Sequence, residues 1–250
     1  MNGQATGPAG WDLIQPFRLE VSGFHGRLVR LGPAVDTIIS QHSYPNAVAS
    51  LLAECVALGG ALAAALKYDG VFSLQLSGDG PIRYMICDVT SAGAVRAFAG
   101  IRDDFPDDGT LDGASLPRLF GSGYLAMTID QGASTDRYQG VVDLTGATLT
   151  ECVHHYFQQS EQFSAAVKLY SDRTVDGRWR SAALMMQMAP ESENPNLQEP
   201  AEEAWRRTMI LQGSCTDEEL VDDGLSAYDL LFRLFHEEGV RVFDTRTPSS

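Results

Sequence analysis

Gly121, Gly123 and Ala126 in FGSGYLA carry the letters of a dinucleotide-binding fingerprint, whose glycines let backbone approach a pyrophosphate at a helix N-terminus. That chemistry needs a strand before the glycines and a helix after them. Here the alternating YLAMTID follows, so the glycines read as a tight entry into a sheet. Ser115 in DGASLP and Ser134 in QGASTD each follow Gly-Ala, but neither has the closing glycine of a nucleophile elbow. A hydrolase using these loop serines is the enzymatic alternative, without a base or oxyanion arrangement to support it. His154 and His155 would point about 100° apart on a helix and cannot share a metal as residues four apart can. His236 opens HEEG rather than HExxH, and Asp103, Asp104, Asp107 and Asp108 lack the alternate-position ligands and terminal Glu of a calcium loop. Cys55, Cys87, Cys152 and Cys215 are too scattered for a zinc-ligand pair and too few for a disulfide framework. They read as reduced thiols, with Cys215 the most accessible. These residues name no catalytic centre, metal site or cofactor site.

Composition bounds the class. At 44% hydrophobic and 20% charged, 250 residues can bury one or two cores, which excludes a disordered tail. A net charge of −15 repels phosphate and argues against nucleic acid as a partner. The amino terminus has no basic stretch followed by an apolar one, which predicts a cytoplasmic protein.

From Ala47 to Leu66 the polar residues are Ser50 and Glu54, a stretch that at about 1.5 Å per residue is long enough to cross a bilayer. It is rich in Ala and Gly, contains an acid, and lacks the Lys, Arg, Trp and Tyr flanks that seat a membrane helix. No membrane partner is expected. A helix apolar on every side is otherwise enclosed by protein, so this is predicted to be a central buried helix. Gly59 and Gly60 should lie where neighbours press closest, and Glu54 should be solvated at a gap or hydrogen-bonded, because a lone buried carboxylate is costly.

The remaining elements follow from period and turn chemistry. One or two strands are expected over Phe17 to Leu31, a helix from Pro33 to Gln41, a hairpin through VFSLQLS and RYMICDV, and a strand at VRAFAG. Arg102 to Pro117 reads as an exposed connection, YLAMTID and RYQGVVDL as a second hairpin, and AVKLYS and RSAALMMQM as further strands. In TLTECVHHYFQQSEQF, Leu149, Cys152, Val153, Tyr156, Phe157 and Ser160 fall on one helical face. Residues 191–250 hold fourteen acids and five bases, a net −9 of the total −15. After the proline-bracketed ESENPNLQEP they read as three short helices, with Thr216 and Glu219 matching a capping box.

KYDGVFSLQLSGDGPIRYM (Lys67 to Met85), GSGYLAMTID with DRYQGVVDLTG (Gly121 to Gly146), YFQQSEQ (Tyr156 to Gln162) and LLFRLFHEEGVRVFD (Leu230 to Asp244) together resemble the heat shock protein 33 family of redox-regulated bacterial chaperones. The order of the motifs matches over nearly the whole chain from Phe17. SEQFSA and SAALMMQ depart from the family pattern at packing positions. The resemblance implies an α+β fold: two β layers enclosing a buried helix in a core domain, 1–190, then a small all-helical subdomain, 191–250.

It also implies an ATP-independent holdase whose partners are unfolding client proteins, with homodimers or exchanged elements as a further expectation. The family's zinc and redox cysteines lie in a C-terminal module whose CxC and CxxC pairs have no counterpart among Cys55, Cys87, Cys152 and Cys215, so these 250 residues are expected to hold no zinc and to act redox-independently. A fragment that only docks that module is a second alternative. Trp205, Met209, Ile210, Leu230, Leu231, Leu234 and Phe235 are the candidate client-binding residues, on amphipathic faces of the acidic helices.

Overall fold

The structure, a computed structural model, describes residues 10–131, 138–160, 164–188 and 200–248. Ser134 and the segments 161–163 and 189–199 therefore lie outside the described residues. One antiparallel sheet takes the order β10-β1-β2-β9-β8, from β1 (Leu13–Leu19), β2 (His25–Leu31), β8 (Ala165–Arg173), β9 (Trp179–Gln187) and β10 (Val240–Val242). The other runs β5-β4-β3-β6-β7, from β3 (Val71–Gly78), β4 (Ile82–Thr90), β5 (Val95–Ile101), β6 (Gly123–Asp130) and β7 (Tyr138–Asp143).

Between them lies α2 (Asn46–Ala65), the predicted central helix. Most of it is enclosed, which answers its membrane-like length and hydropathy. The strands facing it send alternate side chains onto it, among them Phe72, Leu74 and Leu76 from β3, Val29 and Leu31 from β2, and Ala183 and Met185 from β9. Helix α1 (Pro33–Ser40) and α4 (Leu149–Ser160) close the sides, α4 burying Leu149, Cys152, Val153, Tyr156 and Phe157 as its spacing predicts.

Three differences from the sequence reading have physical causes. Arg102 to Pro117 is not wholly an exposed connection. Leu111 and Leu116 are buried, and Leu116–Phe120 forms a short helix, α3, whose Leu119 and Phe120 join the central core among polar punctuation. Strand β1 begins before Phe17 because Pro16 is tolerated there: its carbonyl and missing N–H face Phe243, while β10 pairs only with Phe17 to Leu19. The last quarter is not all helical. After α5 (Ala201–Gly213), α6 (Asp217–Leu220) and α7 (Ala227–Phe235), β10 returns to the edge of the first sheet. Gly121, at φ 66°, ends α3 immediately before β6, the tight sheet entry expected there.

Glu54 is half-buried on α2. It lines a gap of about 160 Å³ between Ala47–Leu51, the Leu111–Leu119 segment and the start of α4. Burial pushes its carboxyl up to about 7, with Asp217 adding to the rise. An acid whose folded pKa is raised stabilises the fold fully below its unfolded value, near 4.5, and that contribution is lost as pH rises to and through about 7. Glu54→Gln is therefore expected to be more stable than the parent above pH 7 by about 1–3 kcal/mol and to flatten its stability between pH 4.5 and 7. Urea melts across that range check this; parallel pH profiles would contradict it.

Candidate functional site

The first sheet has helices on both faces. Its outer face presents Phe17 and Leu19 from β1, Leu28 from β2, and Ala182, Leu184 and Met186 from β9, with Phe24 from the β1–β2 turn. On it sit α5, α6 and α7, which bring Ala204, Cys215, Leu220, Val221 and Ala227 into a second core separate from the one around α2.

The seven apolar residues singled out from the sequence divide here. Leu230, Leu231, Leu234 and Phe235 form the buried stripe of α7, none more than 3% exposed, with the Phe235 ring stacked on Phe17 at 5.8 Å between centroids. In the folded state they are core side chains and meet a partner only if α7 leaves the sheet. Trp205 and Met209 are half-buried on α5, Trp205 edge-on to Phe24 at 5.5 Å, and Ile210 is 68% exposed. Tyr228 and Phe232, which the sequence reading passed over, are each 50% exposed and stack on one another on the outer side of α7. Their i, i+4 spacing opposite the leucine stripe was the available signal.

Polar anchors hold this helical layer down. Arg30, 2% exposed on the outer-face side of β2, donates to the carbonyls of Glu219 (2.8 Å), Asp222 (3.4 Å) and Leu225 around the α6–α7 connection. Burial lowers its pKa, an effect that Asp222, Cys215 and Asp223 oppose. Gln212 at the end of α5 donates to the Leu184 carbonyl at 2.7 Å. Arg207 on α5 grips the buried Glu238 with two bonds, of 2.6 and 3.1 Å. Lys168 on β8 pairs with Asp217 at 2.8 Å, and the Thr216–Glu219 capping box opens α6 as expected.

All four cysteines are buried, Cys215 among them. At 1% against 0% for the other three it is the most exposed of the four, as expected, yet it lies under the helical layer, its thiol directed at the Thr216 carbonyl. Burial pushes Cys55 up to about 12 and Cys215 up to about 11, and raises Cys87 and Cys152 as well, so none is a thiolate near neutral pH. A thiol-reactive chromogenic disulfide is expected to leave the native chain essentially unlabelled over minutes and to titrate all four thiols in guanidinium. Rapid native labelling would contradict the burial.

Comparison with known proteins gives concordant findings. The family model described as "Hsp33 protein" matches residues 12–250. A "33 kDa chaperonin" of Caulobacter vibrioides (strain NA1000 / CB15N) is 34% identical over 246 residues, covering 94% of this chain and 78% of that protein. One from Ectopseudomonas mendocina (strain ymp) is 36% identical over 233 residues, covering 93% and 75%. The crystal structure of the 33 kDa chaperonin of Thermotoga maritima superposes with a TM-score of 0.78 at 19% identity, covering 95% of this chain and 79% of that one, and so shares the fold.

Proposed function

The chain belongs to the Hsp33 family, and on that premise we propose that it is an ATP-independent holdase that captures unfolding proteins on apolar surface and limits their aggregation. The observation that carries this reading is the second core. An apolar sheet face is covered by a separate acidic helical layer, and lifting that layer would bare Phe17, Leu19, Phe24 and Leu28 together with Leu230, Leu231, Leu234 and Phe235. Trp205, Met209 and Ile210 offer apolar contact while the layer is still seated. A net charge of −15 keeps such a protein dispersed while these surfaces are open.

Cytoplasmic location, action without catalysis, and self-association through the same surfaces as dimers or exchanged elements belong to this proposal. So does redox independence of these 250 residues. The zinc that the family resemblance assigns to a C-terminal module does not fit here: the cysteines are buried in separate elements, and no group of three potential metal donors occurs among the described residues.

Light scattering from a thermally unfolding client mixed with an equimolar amount of this chain, without ATP, is the test. Scattering is expected to fall strongly, and to the same extent after peroxide treatment. An unchanged scattering curve would favour the reading of a fragment that only docks another module, and activity appearing only after peroxide would contradict redox independence.

A further inference from the structure

Strand β8 ends the first sheet; among the described residues no strand pairs with its outer edge, which forms the floor of an open groove of about 780 Å³. The five consecutive residues Ser164 to Lys168 line that floor. One wall is α4, through His154, Phe157 and Gln158, and the other is α5, through Trp205, Met209 and Gln212. Met188 N–H donates to the Ser164 carbonyl, and Thr174 N–H donates to that of Arg178. In an antiparallel pair these bonds fix the phase: even-numbered residues of β8 bond to β9, and Ala165, Val167 and Leu169 turn their N–H and C=O groups outward. His154 Nε2 accepts the Val167 N–H at 2.9 Å, so a side chain stands where a strand's carbonyl would be.

We infer that this groove takes an extended segment of another polypeptide as a sixth strand beside β8. The outward groups of Ala165 and the Val167 carbonyl supply main-chain hydrogen bonds, the Val167 N–H joins them when His154 gives it up, and Phe157, Trp205 and Met209 receive the apolar side chains of the segment. Charge narrows the occupant. Lys168, the charged side chain in the groove lining, is paired with Asp217, and residues 191–250, which carry α5 and α6, hold a net −9, so the favoured segment is apolar at alternate positions and flanked by basic residues. The inference rests on the holdase reading, of which it names the part available before the helical layer opens. It gives Trp205 and Met209 a role that the buried stripe of α7 does not share.

The probe is a fluorescein-labelled peptide of alternating valine and threonine flanked by lysines, its binding to the full chain read by fluorescence anisotropy at a temperature where the protein is native. The parent peptide is expected to bind, and a version N-methylated at alternate residues on the strand-pairing edge to bind at least ten-fold more weakly. Ala165→Pro removes one outward N–H at the start of β8, where proline is tolerated, and should weaken binding at least ten-fold with no change in melting temperature. His154→Ala frees the Val167 N–H and should tighten binding several-fold. Equal binding of the methylated and parent peptides, or no binding of either, overturns the groove. If light scattering shows client holding while the peptide fails, the groove falls and the holdase reading stands. If the peptide binds in this pattern while scattering is unaffected, the groove stands and the holdase reading falls.

Discussion

Replacing Arg30 with methionine is expected to cost about 3–5 kcal/mol, because it removes a buried charged donor from three carbonyls at once while leaving the side-chain stem in place. The guanidinium bridges β2 to Glu219, Asp222 and Leu225, and among the described residues no carboxylate pairs with it directly. Its role is thus to satisfy the backbone of the α6–α7 connection against the sheet. Arg30→Lys keeps the charge but lacks the planar fork that reaches several carbonyls at once, so it should recover less than half of the loss. Urea melts of the three proteins decide the matter: a methionine variant within about 1 kcal/mol of the parent would show that hydrophobic burial alone seats the helices.

Two adjacent glycines of α2 should respond oppositely to alanine. A Cβ on Gly59 would lie 2.7 Å from Cys87 Sγ, a short side chain pinned within β4, whereas one on Gly60 would meet Ile14 and Val29 at 3.7 Å, an ordinary contact. Gly59→Ala is therefore expected to destabilise by about 1–3 kcal/mol through overpacking. Gly60→Ala should stabilise by up to about 1 kcal/mol, the helix-propensity difference, with the methyl filling available space. The expectation that both glycines mark the closest approach thus holds for Gly59 alone. Equal effects at the two positions in denaturant melts would contradict this geometry.

The sandwich was legible because its signals are local. The all-apolar run of α2 has to be enclosed, and the alternation in Phe72, Leu74 and Leu76 has one apolar side. Arg30 was not legible, because β2 is covered on both faces: what reads as the solvent half of an alternation in RLVRL faces a second core. Only the three-dimensional docking of α6 and α7, nearly two hundred residues later, supplies its partners. For the same reason the leucine stripe of α7 could be recognised as amphipathic, but not as seated on Phe17 and Leu28. Three-residue β10 is too short for periodicity to reveal, and is fixed by its pairing with β1. The groove along β8 joins α4, β8 and α5, which are separated in sequence, and no motif in the sequence spans them.

Hydrogen exchange resolved by element, measured with and without an unfolding client, tests most directly whether the helical layer opens as a unit over a persistent sheet. The amides of α5 and α7 are expected to exchange through an opening that leaves β2 and β9 protected, and the client should accelerate that exchange by holding the layer off the sheet. Exchange of α7 only together with β9, at the same free energy and indifferent to client, would mean that Leu230, Leu231, Leu234 and Phe235 never leave the core to hold anything.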